Sequence, residues 1–300
     1  METLATSSAA AARRPARPGA AIDGDLLRRQ IGQLPALPQA VLKVLAILRR
    51  EDASAEECAQ HIVSDQAMTA RTLRLANSAF YGVPGRVGTI RDAIHMLGRR
   101  TLGALLTTAA VTSQFGRCSC PGFDFAAFWR HALGSAIAAQ SLAGELGADE
   151  DLAFTAGLLH DIGRLALAAY FPAELGAALA RARADDGPAL EAEREAFGDD
   201  HAGIGAMIAA HWHFPGPVAD AITQHHAPAA APRATLADIV HLADAIAHSL
   251  DLNGDDDEMV PEIDASSWAR LGLSPAQCLR VFERTENGVA ALCQALGVDA

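Results

Sequence analysis

Apolar residues recur at helical spacing along nearly the whole chain. In QAVLKVLAILRR (39–50) they fall at 41, 42, 45 and 48, a single helical stripe, with Pro35 and Pro38 punctuating its start. SAEECAQHIVSD (54–65) and DQAMTARTLRLANS (65–78) read as two further short helices, followed by the Gly- and Pro-rich loop FYGVPGRVG. TIRDAIHMLG (89–98) opens with Thr89 as N-cap and Asp92 three residues on, a variant capping box, and Gly98 is placed to end it. RRTLGALLTTAAVTSQF (99–115) continues as an apolar helix.

Beyond GRCSCPG (116–122) the pattern strengthens. A long helix is expected over 123–147, ending at Gly147, and a second, unbroken helix over 149–172, stopped by Pro172. Helices at about 173–185, 189–197, 199–215, 217–228 and 234–250 follow. An acidic loop (251–264) then leads to a last pair of helices ending near 296. No sustained period-2 alternation and no repeat of 20–50 residues is present. The expected fold class is all-α, a multi-helix bundle. The chain divides into a flexible tail (1–22), an N-terminal helical half (23–122), a second helical half (123–250), the acidic loop and a C-terminal helical extension (265–300).

Composition narrows the function classes. Half of the 300 residues are hydrophobic and a fifth are charged, which suits a packed globular core. The formal net charge of −12 and the lack of a basic run outside Arg13, Arg14 and Arg17 argue against direct nucleic-acid binding. Five scattered cysteines do not form a disulfide framework, and the Cys118–Cys120 pair reads as two reduced thiols. No uninterrupted apolar stretch of spanning length and no secretory leader is read, so no membrane and a cytoplasmic location are expected.

Candidate chemistry lies in seven polar residues within or at the ends of apolar helices: His131, His160, Asp161, His201, His225, His226 and Asp244. Burying such groups singly is costly, whereas convergence on cations would make it plausible. His160 and Asp161 are adjacent on the expected helix, so their side chains diverge by about 100° and could straddle a metal. Mixed His/Asp ligation suits a two-metal hydrolytic site. A relic site whose polar groups hydrogen-bond one another would keep the same residues. His211 and His213 read as packing residues, and His61, His95, His241 and His248 as ordinary surface or partly buried histidines. Asp251, Asn253, Asp255 and Glu262 nearly fit a calcium loop. Asp256 stands where that loop needs glycine, so the segment reads as a solvated acidic loop. Asn77 and Ser78 read as helix-end and turn residues.

WRHALGSAIAAQSLA, AGLLHDIGRLAL, HAGIGAMIAAHW, AITQHH and HLADAIA resemble, in that order, the H…HD…H…HH…D series of the HD superfamily. Upstream, LPALPQAVLKVL, SDQAMTARTLRLANSAFYG and TIRDAIHMLGRRTL resemble the HDOD branch, the HD-related output domain of bacterial signalling. The resemblance covers about residues 27–228, with Asp244 just beyond. It implies an HD/HDOD-type helical fold in which His131 is the first metal ligand, His160 and Asp161 form the HD pair, and Asp161 bridges. His201, His225 and His226 match the second-metal ligands of the HD-GYP relatives, and Asp244 matches the final carboxylate. The implied cofactor is one or two divalent transition-metal ions, Fe, Mn or Zn.

Departures from HD-GYP enzymes shape the functional expectation. Arg164 stands where they carry Lys, and would offer phosphate a planar fork. APAAAPRAT replaces their DGxGYP loop, which argues against cyclic di-GMP hydrolysis, and Ala127 replaces the Glu that holds a third metal in some relatives. No receiver, GGDEF or EAL segment is visible, so a stand-alone module is expected. The resemblance thus implies a signal-transduction output module working through a protein partner, with a retained metal site. The alternative is a metal-dependent phosphohydrolase taking a nucleotide or cyclic dinucleotide, with Asp161 and Arg164 as catalytic residues.

Overall fold

Asp124, Asp149, Asp200 and Asp264 each stand before an apolar helical run, and each caps it, accepting backbone N–H groups of the first turn that the helix itself leaves unpaired. The computed structural model describes residues 22–34, 54–63, 66–77, 87–96, 119–252 and 259–296, with a few single positions between 98 and 115. The expected helix over 39–50, most of that over 99–115, Cys118 and the tail through residue 21 lie outside the described residues.

Helices and no strand occur among the described residues. They are α1 (Gly24–Gly32), α2 (Ala55–Val63), α3 (Gln66–Ala76), α4 (Phe125–Leu146), α5 (Glu150–Leu159), α6 (Ile162–Tyr170) and α7 (Pro172–Ala184). There follow α8 (Ala189–Phe197), α9 (His201–His211), α10 (Gly216–Gln224), α11 (Leu236–Ser249), α12 (Ala265–Leu271) and α13 (Pro275–Leu296). Residues 90–96 are also helical, entered through hydrogen bonds between Thr89 and Asp92 (2.6 and 3.1 Å). Asn77 closes the turn after α3 by accepting from Val87 N and donating to Val87 O, at 2.9 and 2.8 Å.

Alanine and leucine dominate α4, which is buried on most sides and packs against α5, α11 and α13. α9 packs on α6 and α10, and α10 packs on α11. The C-terminal helix therefore lies on the core. Small residues set these distances. A Cβ on Gly163 of α6 would fall 2.0 Å from the His201 carbonyl oxygen of α9, and one on Gly157 of α5 would fall 2.6 Å from the Ser135 carbonyl oxygen of α4. Only glycine lets these backbones touch.

One expectation needs correction. The segment 149–172 is not one helix: α5 and α6 are separated by a turn at His160 and Asp161. Asp161 has φ −96° and ψ 15°, in the sparsely allowed bridge region where turns and many active-site residues sit. Glu150–Tyr170 is long and apolar enough to cross a membrane by composition, but its most apolar window is 78% buried within the fold. It is part of the core of this bundle.

Candidate metal centre

Five helices deliver the seven polar residues to one place. His131 comes from the second turn of α4. His160 and Asp161 occupy the α5–α6 turn, His201 opens α9, His225 and His226 follow α10, and Asp244 lies in the middle of α11. His160, His201 and His225 are wholly buried, and His131, Asp161 and Asp244 are 2–4% exposed.

The contacts fall into two groups that share Asp161. In the first, Nε2 of His131 lies 3.2 Å from Nε2 of His160 and 3.0 Å from Oδ1 of Asp244, and His160 Nε2 is 3.4 Å from the same oxygen. In the second, Nε2 of His201 is 3.3 Å from Nε2 of His225 and 2.7 Å from Nε2 of His226. Asp161 lies between the groups. Its Oδ1 is 3.0 Å from His201, 3.6 Å from His225 and 3.7 Å from His160, and its Oδ2 is 4.0 Å from His131.

The other ring nitrogens decide what these contacts mean. Nδ1 of His160 faces the Gly157 carbonyl at 2.7 Å, and Nδ1 of His225 faces the Ile222 carbonyl at 2.8 Å. A carbonyl only accepts, so each Nδ1 carries the proton and donates it. Nδ1 of His201 is 2.6 Å from Oε2 of Glu193, which also accepts the His201 backbone N–H at 2.9 Å. In each neutral ring the Nε2 lone pair is then exposed towards other Nε2 atoms and carboxylate oxygens. Lone pairs facing lone pairs repel unless a cation, a proton or a metal, sits among them. Anchoring Nδ1 on a carbonyl or carboxylate while Nε2 points inward is how ligating histidines are held. The donor set fits a divalent transition ion.

Titration behaviour reflects the same crowding. Burial, together with His160 and His201, pushes His225 down to about 3, and burial also lowers His131 and His226. For His201, burial and Arg164 favour the neutral ring, but Glu193 and Asp161 prevail and raise it to about 9. Burial would raise Asp161, yet Arg164, His160 and His201 hold it well below the ordinary carboxylate range. Asp244 is likewise held low by hydrogen bonds from His131, His160 and His248 that outweigh its burial.

Three residues enter that the sequence reading had placed elsewhere or passed over. Glu193, on α8, is fully buried behind His201. His248, read as an ordinary histidine, is one turn beyond Asp244 with its Nε2 3.4 Å from Asp244 Oδ1. His241, also read as ordinary, is 3% exposed; its Nδ1 donates to the His225 carbonyl at 2.6 Å and its Nε2 accepts from Asp264 N at 2.9 Å. Arg164 turns to protein partners: its Nη1 donates to Asp161 and its Nε to Glu193, both at 3.2 Å. His211 donates to the Leu34 carbonyl at 2.9 Å, a packing role.

Comparisons with known proteins agree with this architecture. The family described as HDOD domain matches residues 34–228. A protein of Shewanella amazonensis SB2B, assigned by inference as a phosphohydrolase, is 31% identical in its crystal structure; the match covers 91% of this chain and 98% of that one, with a TM-score of 0.70. An HDOD domain protein of unknown function from Geobacter sulfurreducens is 26% identical over 91% of this chain and 96% of that one, with a TM-score of 0.69. A curated, uncharacterized protein of Treponema pallidum (strain Nichols) is 28% identical over 201 residues, 66% of this chain. The match spans 38% of that relative's length.

Proposed function

The chain belongs to the HDOD domain family, and from that premise we propose that it is a cytoplasmic output module of bacterial signal transduction, acting on a protein partner and carrying a metal centre in its core. The observation that carries the metal centre is the orientation of His160, His201 and His225, each anchored through Nδ1 with Nε2 turned into the cluster.

His131, His160 and Asp244 would hold one ion, His201, His225 and His226 a second, and Asp161 would lie between them. A divalent Fe, Mn or Zn ion bound there supplies a Lewis acid and a fixed positive charge. The chain's own groups do the positioning. The Gly157 and Ile222 carbonyls fix two rings, and Glu193 fixes a third. Arg164 keeps Asp161 and Glu193 ionised. Enclosure favours regulation over turnover, because six of the seven residues are at most 4% exposed. A phosphoester would need a path to them.

A second reading, a metal-dependent phosphohydrolase acting on a nucleotide or cyclic dinucleotide, is favoured by the shared position of Asp161 between the two groups. The engagement of Arg164 by two carboxylates weighs against it. Elemental analysis of freshly purified wild type beside His160→Ala tests the centre. Stoichiometric Fe, Mn or Zn in the wild type and loss of about one equivalent in the variant support it, and a metal-free wild type overturns it. Pull-down alongside a phosphoesterase assay separates the roles: robust turnover with no specific partner overturns the output reading.

A further inference from the structure

His248 stands outside the H…HD…H…HH…D series, yet the fold aims it at the same oxygen. Asp244 and His248 are four residues apart on α11 and so lie on one face. Oδ1 of Asp244 thereby meets three imidazole nitrogens, from His131 at 3.0 Å, His160 at 3.4 Å and His248 at 3.4 Å. The His131 and His248 rings are 4.5 Å apart between centroids, and ligand atoms of His131, Asp244 and His248 all lie within 4.8 Å of one another. Nitrogen and oxygen donors bound at about 2.0–2.1 Å to one tetrahedral ion sit roughly 3.3 Å apart, close to the 3.0–3.4 Å that separates Asp244 Oδ1 from each of the three rings.

We propose that His248 is a fourth protein ligand of the ion held by His131, His160 and Asp244, an inference that rests on the metal-binding reading above. Arg130 Nε of α4 donates to the Leu252 carbonyl at 2.9 Å, and the Leu252 side chain fills the space where a Cβ on Gly134 would lie. The chain just beyond His248 is thus held against α4. Asp161 stands nearer the other ion, its Oδ1 3.0 Å from His201 but 3.7 Å from His160 and its Oδ2 4.0 Å from His131. The four donors on this side then leave a tetrahedral ion no open position, and an open position is what a catalytic ion keeps. The ion on this side is a closed, structural or sensing centre of the Zn or Fe class.

The test uses full-length protein, metal-stripped and titrated with Co(II) and with Zn(II), followed by visible absorption and calorimetry. Wild type should give the intense visible bands of four-coordinate Co(II). His248→Ala and the closer isostere His248→Gln should lose intensity and weaken one equivalent by about tenfold or more. Unchanged melting of the metal-free variants would show that the fold is kept. Variants that match wild type in affinity and spectrum overturn the role of His248 while leaving the metal centre intact. A wild type that binds neither ion overturns both.

Discussion

Oε2 of Glu193 lies 2.6 Å from Nδ1 of His201 and accepts the backbone N–H of the same residue at 2.9 Å. One buried carboxylate thus fixes both the ring and the start of α9. Burial alone would raise this acid, but His201 and Arg164 hold it at about 2. Glu193→Ala leaves the His201 N–H and the Arg164 guanidinium without this partner. The expected cost is about 3–5 kcal/mol, the usual effect of removing one member of a buried charged pair. Glu193→Gln keeps an acceptor and should cost less. Urea denaturation measures both, and an unchanged midpoint in Glu193→Ala would refute this role.

Gly163→Ala places a methyl against the His201 carbonyl oxygen, where the separation would be 2.0 Å. The neighbour is backbone and cannot rotate away, so α6 and α9 must part. Loss of stability of at least about 1–3 kcal/mol is expected, as for overpacked cores, with reduced metal content because His201 moves. Thermal unfolding and elemental analysis check this together. A variant as stable and as metal-rich as wild type would mean that the helices do not meet as described.

Metal removal should destabilise the wild type more than His160→Ala. Ligand at one hundred times its dissociation constant stabilises by about 2.7 kcal/mol. A chelator should therefore lower the melting temperature of wild type more than that of His160→Ala, which keeps the ligands of the second ion. Equal shifts in both proteins would point to an effect unrelated to the centre.

Acid stability should depend on Asp238. Its Oδ2 accepts from Thr235 N at 2.7 Å and completes the capping box of α11, while Arg270 of α12 donates to both oxygens, Nε at 3.2 Å from each. Burial would raise its pKa, but Arg270 and Thr235 lower it below the ordinary value of 3.8. A lowered folded value means that the stabilisation is complete above the unfolded pKa and fades as pH falls through the folded one. Asp238→Asn should lose about 1 kcal/mol near neutral pH, the scale of a lost cap, and show a flatter loss of stability below about pH 4. Parallel pH profiles for the two proteins would contradict this.

Much of this was legible in the residues because helices announce themselves locally. Stripe, cap and stop signals lie within a few positions of one another, so Asp124 and Gly147 bracket α4 as the pattern of 123–147 implied. The seven polar residues stood out because each interrupts an apolar segment. The break in 149–172 was not legible. Nothing in HDIG marks a helix end, and the turn arises where α5 passes α4 and α6 passes α9 at two glycines. Glu193 lies in EAEREAF, within the helix expected at 189–197, and only packing buries it. His248 sits where α11 gives way to an acidic loop, so it reads as an ordinary surface or partly buried histidine.

The sequence by itself determined that this chain is a helical bundle, which residues cap its helices, and which imidazoles and carboxylates need a partner in the interior. Those properties depend on neighbours within a turn or so. Only the tertiary structure decided that groups from five helices meet at 3–4 Å, which ring nitrogen each histidine presents, and that Glu193, His241 and His248 stand beside them. These depend on how rigid helices pack across more than a hundred residues of chain, where a rotation of one helix moves a nitrogen by ångströms while local preference stays almost unchanged.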